Sequence, residues 1–520
     1  METHNRLRHD LPDHARFWNI GECPAEFCLG DTDGPWILGG FQIRDPDCLG
    51  YRGIGSGAAS PSPIQHFFGL DLQETKKKSE LVRAKLINRT AKCEKLSHRG
   101  QAALAQEVVQ TVDLPHPIYI ESAQGPYLTD LDGNRYIDLT GGFGPNVLGN
   151  KPEPVEKALA TQIKKGWHFG IPGDGQAYLA ELIKDSSPAV DEVMFCNSGS
   201  EATMFAFRAA RALTGKRVIA LFDGSYHGIH DYALIRANLK SDRSTPSSIT
   251  LGAGIPDEVS QDLMMMLPYR DENAFELIRQ YKDELAMVVI EPVQSSNPRL
   301  DNQEFLNNLR EVCSECDVLL MFDEVITGFR IEYGGCQEYY NIKPDVITYG
   351  KAVGGGLPIG VVAGSQRIMN TFSGAEDTPA IFAGGTFSGN PLTMASGIGA
   401  IEYLKENKEE IYPYLHEQGN RLANEINDFC HANNIPAKMM NAGSMMHLIF
   451  GGEKIESSRD IDHSLYKLEK EFYLHLLGHN VIVPGIHLAF ISYAHKTEVI
   501  DEVILAFKNT FEDLREDGYF

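Results

Sequence analysis

Lys351 lies in the run Tyr349-Gly350-Lys351-Ala352-Val353-Gly354-Gly355-Gly356-Leu357-Pro358, 28 positions (351 − 323 = 28) after Asp323 in Phe322-Asp323-Glu324-Val325. A lysine among glycines is a candidate nucleophile toward an aldehyde. The glycines let ligand atoms approach closely, and burial disfavours the ammonium form, leaving more of the neutral amine that forms an imine. Asp323 closes the apolar run Val318 to Phe322, where an unpaired carboxylate is costly to bury, so it calls for a cationic partner. An arginine or lysine would serve. So would a protonated pyridine nitrogen, and a ring held protonated in this way becomes an electron sink for carbanion chemistry. Taken singly, a lysine is far more often an exposed surface residue; it is the pairing with Asp323 that points to chemistry.

Two further segments suit a phosphate. Cys196-Asn197-Ser198-Gly199-Ser200-Glu201-Ala202 joins a buried strand to an amphipathic helix, so unpaired N–H groups and the positive end of the helix dipole converge near Ser198, Gly199 and Ser200. Ser198 and Glu201 also have capping-box spacing, which needs no ligand. Gly384-Gly385-Thr386-Phe387-Ser388-Gly389-Asn390-Pro391 offers hydroxyl and backbone donors ahead of another helix, although a Gly-rich turn explains it equally well. Phe222-Asp223-Gly224-Ser225-Tyr226-His227-Gly228 follows a strand, where Tyr226 can stack on a flat ring; His227 alone is more often structural. An aldehyde, a pyridine nitrogen and a phosphate are united in pyridoxal 5'-phosphate, the cofactor these residues together suit.

The surrounding pattern supplies the scaffold. Val193 to Cys196, Val218 to Phe222, Met287 to Ile290, Val318 to Phe322 and Val346 to Thr348 are short apolar runs alternating with helical periods, as strands covered on both faces would be. This predicts an α/β fold with a large, mainly parallel sheet over residues 166–400. Residues 96–165 form a linker and the N-terminal part of a smaller domain, with a meander at Ile118-Tyr119-Ile120, Tyr127-Leu128 and Tyr136-Ile137 and turns at Gln124-Gly125 and Asp132-Gly133. Residues 401–520 read as a smaller α+β domain: a helix from Ile401 to about Asn433, a strand near Met445 to Phe450, a helix after Ser464, the run Val481 to Val483 and a helix from Lys496. Residues 1–95 form an extension, Gly/Pro/Ser-rich and then charged and helical from Thr75 to Ala91. Its Phe17, Trp18, Trp36, Phe41, Phe67 and Phe68 predict that part of it docks.

With 47 Lys and Arg against 71 Asp and Glu, the net charge of −24 repels nucleic acid and anionic lipid. No run reaches the length of a membrane span and the N-terminus is polar, so a cytoplasmic protein is expected. Nine cysteines, an odd number, read as free thiols; Cys313 and Cys316 have CxxC spacing but fall in a predicted helix without completing a metal set.

In their order and spacing these segments resemble the class III pyridoxal-phosphate aminotransferases, most closely the glutamate-1-semialdehyde aminomutase branch, over about residues 96 to 515. The matching motifs are Asn197 to Ala202, Tyr226-His227-Gly228, Glu291-Pro292-Val293-Gln294, Phe322 to Val325 with Gly328-Phe329-Arg330, Gly350-Lys351 with Gly354 to Pro358, and Gly385 to Pro391. The resemblance implies a fold-type I pyridoxal-phosphate transferase in which Lys351 carries the cofactor as an imine and then shuttles protons, while Asp323 holds the ring nitrogen. It further implies that Tyr226 and Val325 sandwich the ring, Gly199 and Ser200 bind the phosphate, and Gln294 lies near the ring hydroxyl. Thr386 would reach the phosphate from the other subunit of a homodimer with shared active sites.

Two departures bear on the reaction. The branch carries a Ser-Pro-Val-Arg element that holds a substrate carboxylate, whereas no arginine occurs between Gly100 and Tyr119 here. Near the C-terminus the branch has a glutamate where this chain has His487. Both changes point to an aminotransferase that moves nitrogen from an amino acid donor, such as glutamate, to an uncharged aldehyde or ketone, as in secondary-metabolite biosynthesis, with Trp167, His168 and Phe169 as pocket walls. The alternatives are an aminomutase, a racemase or epimerase acting through the same lysine, and an idle cofactor-binding scaffold, against which the intact Lys351 and Asp323 argue.

Overall fold

The computed structural model describes residues 36–38, 41–43, 77–101, 103–104, 114–452, 454–484 and 488–520. A seven-stranded sheet forms its centre: β1 (Glu192–Cys196), β2 (Val218–Phe222), β3 (Met264–Leu267), β4 (Leu285–Ile290), β5 (Leu319–Asp323), β6 (Val346–Gly350) and β7 (Gly360–Gly364), in the order β3-β2-β4-β5-β6-β7-β1. β3, β2, β4, β5 and β6 are parallel; β7 runs antiparallel to both β6 and β1. The inner strands β4, β5, β6 and β7 are buried along their whole length, as helices on both faces require of a parallel sheet. β1, an edge strand, is only partly buried.

The carboxyl ends of β1, β2, β4, β5 and β6 open on one edge, which therefore gathers Ser198, Tyr226, Glu291, Asp323 and Lys351. The five apolar runs read from the sequence are all strands. β3 and β7 were not anticipated: β3 is a four-residue Met-rich run, and β7 begins and ends in glycine, which dilutes its apolar signal.

The smaller part is built from both ends of the chain. Strands Ile120–Gln124, Tyr127–Asp130 and Arg135–Asp138 form the expected meander, and Val481–Ile482 adds to it in parallel, with Val481 opposite Ile137. A second sheet joins Ala437–Ala442, Met445–Phe450 and Ala489–Phe490. The single helix expected from Ile401 is instead two, Pro391–Glu406 and Lys408–Ala432, parted at Asn407. Cys313 is buried in the helix Gln303–Glu315, Cys316 caps it, and both thiols are free.

The charged run near residue 80 forms helices Lys77–Arg89 and Ala91–Gln101, and the first docks. Leu86 enters one apolar cluster with Phe472, Phe507 and Phe511 of helices Tyr466–Gly478 and Thr497–Glu516. Trp36 and Phe41 lie in a short antiparallel pair, Trp36–Leu38 with Phe41–Ile43; Phe17, Trp18, Phe67 and Phe68 lie outside the described residues. No helix among the described residues is long and apolar enough to cross a membrane.

Candidate active site

Lys351 is the first residue after β6 and opens the 3₁₀ turn Lys351–Gly354. Its φ of +46° is a left-handed conformation that L-residues adopt at a cost of about 1–2 kcal/mol. The surroundings hold it there: a methyl group added to Gly144 would lie 3.1 Å from the lysine Cδ, and one added to Gly350 3.2 Å from Val325 Cγ1. Burial pushes the Lys351 amine down to about 8; Glu291 and Asp323 pull it back up, and the Arg330 guanidinium lowers it further. About a tenth of the amine is therefore neutral, and nucleophilic, at pH 7, rising to half near pH 8.

Asp323 ends β5 and is buried. One carboxylate oxygen accepts from Val325 N–H (3.1 Å) and Thr348 Oγ1 (3.0 Å), while the other lies 2.7 Å from His227 Nδ1. The His227 ring backs Asp323 from a loop 96 residues away, and its buried Nε2 has no partner.

Ser198 caps the helix Gly199–Thr214, its Oγ accepting from Glu201 N–H (3.1 Å). Its oxygen thus serves as the cap, while Glu201 accepts from Asn197 N–H (2.7 Å). Gly199 has no room for a side chain, since an added methyl would stand 2.9 Å from Val325 Cγ1. Ser200 Oγ accepts from Ile229 N–H (3.1 Å), which leaves its own proton free to donate. Tyr226 donates its backbone N–H to Glu291 (3.0 Å). Gln294 is fully buried; its Nε2 donates to Asp223 O (2.9 Å) and Ser225 Oγ (3.0 Å), and its Oε1 has no partner.

Other expected residues stand apart. Thr386 is exposed, on a loop whose Gly385 approaches Asn197. Trp167, at 63 % exposure, and Phe169, at 43 %, lie on the surface, where Asn390 Nδ2 donates to Trp167 O (2.8 Å) and the His168 and Phe387 rings sit 5.3 Å apart. Trp167 and His168 are thus tied to the Thr386 loop, whereas Phe169 packs beside Gly166 and Gly173. His487 lies outside the described residues.

Two residues that carried no assigned role belong to this neighbourhood. Glu291 ends up buried behind Tyr226, and burial pushes its carboxyl up to about 7, against a lowering by His227. Arg330 is buried with no acidic partner among the described residues. It donates to Gly144 O (2.5 Å), Ser444 Oγ (2.9 Å) and Ile491 O (3.3 Å) and lies 4.9 Å over the Phe490 ring, while burial lowers it to about 9. Both lie in segments read as motifs, but their partners are remote in sequence, so no local pattern could assign them.

A mainly parallel seven-stranded sheet with an amine beyond β6, a buried carboxylate closing β5 and a helix N-terminus after β1 defines a fold-type I pyridoxal-phosphate enzyme. The profile of the aminotransferase class-III family matches residues 108–512, and the chain belongs to that family. It is 37% identical over 405 residues to the glutamate-1-semialdehyde 2,1-aminomutase of Methanocaldococcus jannaschii, covering 77% of this chain and 92% of that protein. Among solved structures, an omega-transaminase from Sphaerobacter thermophilus superposes with a TM-score of 0.76 at 29% identity, over 81% of this chain and 98% of its own. A glutamate-1-semialdehyde aminomutase from Pseudomonas aeruginosa shares the fold, with a TM-score of 0.74 at 21% identity over 86% of this chain and all of its own. The chain is thus a pyridoxal-phosphate-dependent enzyme of amino-group chemistry, and the curated relatives weigh toward the aminomutase rather than the plain transaminase expected from the sequence.

Proposed function

We propose that this chain catalyses an aminomutase-type reaction, exchanging an amino group between neighbouring carbons of a small amino-aldehyde. The observation that carries this reading is the 37% identity spanning 92% of an aminomutase that acts on glutamate-1-semialdehyde. The residues present fit pyridoxal phosphate. A depressed lysine amine suits its aldehyde, a buried carboxylate its ring nitrogen, a helix N-terminus its phosphate, and the unpartnered Gln294 Oε1 its ring hydroxyl.

When bound, the cofactor supplies a carbonyl that captures amino nitrogen and a ring that accepts electrons from a broken C–H bond. The chain does the rest. Lys351 Nζ would hold the cofactor, and its neutral amine would take a proton from one substrate carbon and return it to another position. Asp323, steadied by His227 and Thr348, keeps a cationic ring nitrogen in place. Gly199 and Ser200 donate to the phosphate, with Ser198 fixing the helix end. Val325 and Tyr226 would flank the ring, and Thr386 of a second copy would complete the phosphate site in a homodimer. A lysine that serves two carbons in turn is what an internal exchange needs.

A second reading, transfer from an amino acid donor to an uncharged aldehyde or ketone, is favoured by the absence of arginine between Gly100 and Tyr119. Incubation with glutamate-1-semialdehyde separates the two. The aminomutase reading expects an isomer to accumulate with no oxo acid released. With glutamate and a neutral aldehyde added, one oxo acid released per aldehyde converted to amine, and the semialdehyde left unchanged, would show intermolecular transfer instead.

A further inference from the structure

The loop Asp223–Tyr226 is gripped by a segment from the far end of the chain. After Met445–Phe450, residues near 455–460 cross to the sheet's carboxyl edge, where Ser457 and Asp460 form a capping box around the 3₁₀ turn Ser458–Asp460. Arg459, with a side chain only 7% exposed, forms a salt bridge to Asp223, the first residue beyond β2, and donates to Ser241 O (3.2 Å). Ser458 Oγ stands 2.4 Å from where a methyl on Gly224 would lie, so the turn rests directly on the loop. On either side, Asp460 pairs with Arg243 (2.8 Å), and Glu456 with Arg299 (3.0 Å) and Arg270 (3.7 Å).

These pairs differ in weight. The Arg243 and Glu456 pairs are partly exposed, and such pairs contribute little each. The Arg459–Asp223 pair is buried on both sides, and removing one partner from such a pair strands the other charge in a dry setting. Asp223 is also the residue whose backbone carbonyl accepts from Gln294, and Tyr226 follows three positions later. A single guanidinium thus bears on the loop that carries Tyr226 and accepts the hydrogen bonds of Gln294.

We propose that Glu456–Asp460 is a clasp by which the smaller domain sets the position of the Asp223–Tyr226 loop over the cofactor ring, with Arg459 as its positioning residue. This rests on the reading of Tyr226 and Gln294 as cofactor neighbours. The clasp makes retention of the cofactor depend on contact between the two domains, although Arg459 itself touches neither substrate nor cofactor.

The test uses full-length holoenzyme: wild type, Arg459→Met, Arg459→Lys and Asp223→Asn. Each is diluted into cofactor-free buffer while the visible absorption and visible circular dichroism of the bound cofactor are followed, and the thermal midpoint is recorded separately. Arg459→Met is expected to release cofactor about fivefold to tenfold faster with altered visible dichroism, Arg459→Lys to recover part of the loss, and Arg459→Met combined with Asp223→Asn to be no worse than either alone. If Arg459→Met does not fold, Asp223→Asn carries the same test, since it removes the charge pair at constant shape. Wild-type release rate and dichroism with a merely lowered thermal midpoint would show the clasp to be structural support and defeat the proposal. A wild-type protein with no visible band after cofactor loading would defeat the cofactor reading itself.

Discussion

At Lys351 two opposing effects fix the chemistry. Burial lowers the amine, Glu291 and Asp323 raise it, and burial prevails, leaving it at about 8 rather than 10.5. Capture of pyridoxal phosphate by the cofactor-free chain needs the neutral amine, so its rate is expected to rise with pH and level off above about 8 in a stopped-flow titration. Removing a neighbouring cation favours the ammonium form, so Arg330→Met should move that midpoint to higher pH; an unmoved midpoint would mean that the Arg330 charge does not reach the amine. Lys351→Ala is expected to lose the visible cofactor band and to slow turnover by about 10²–10⁴-fold or more while the chain stays folded by far-UV circular dichroism. Retained turnover would remove Lys351 from the mechanism. Lys351 and Asp323 were legible because each breaks a local pattern, a lysine among glycines and an acid closing an apolar strand. The His227 bond to Asp323 and the burial of Arg330 were not, because each depends on contacts between segments roughly a hundred residues or more apart.

The elements were legible where burial left a mark in the composition. Uninterrupted apolar runs announced β1, β2, β4, β5 and β6, and the turn after each was read as a place for chemistry. β7 escaped because its ends are glycines, and the structure shows why they must be. Gly360 faces Cys196 across the β7–β1 pair, and a methyl added to it would fall 1.9 Å from Ser198 O, on the turn that leads into the helix Gly199–Thr214. The obstacle is backbone, which cannot swing away like a flexible side chain. Gly360→Ala is therefore expected to destabilise the chain by about 1–3 kcal/mol or more and to weaken cofactor retention by displacing the Ser198–Ser200 turn. Thermal denaturation with and without cofactor measures both. A variant that melts and holds cofactor like the wild type would mean that the sheet edge yields more readily than its register suggests.

Over the whole molecule, the helix Lys77–Arg89 closes on the C-terminal helices far away in sequence, and this was the least legible level. The sequence indicated that part of the extension docks but not where, since Lys78 and Arg83 find partners more than 380 positions away. Asp517 receives the backbone N–H groups of Lys78 and Ser79 (2.8 Å each), as an acid at a helix N-terminus should. Arg83 pairs with Glu471 (3.0 Å), and Ser79 Oγ meets His475 Nε2 (3.0 Å). The hub is Asp513, which takes Lys78 Nζ (2.6 Å), His479 Nε2 (2.7 Å) and His475 Nδ1 (3.4 Å). Burial alone would raise the Asp513 carboxyl, but the bonds from Lys78 and the histidines outweigh it, and the net shift is downward. A carboxyl held below its unfolded value stabilises the folded chain above the ordinary carboxylate range, and that contribution is lost as pH falls through the depressed value. Asp513→Asn is accordingly expected to lower stability by about 1–3 kcal/mol at neutral pH, and the gap in thermal midpoint between variant and wild type should narrow on acidification below about pH 4. A gap that persisted unchanged into strong acid would mean that Asp513 holds the extension by shape, since an uncharged amide and a protonated carboxyl would then differ for reasons other than charge.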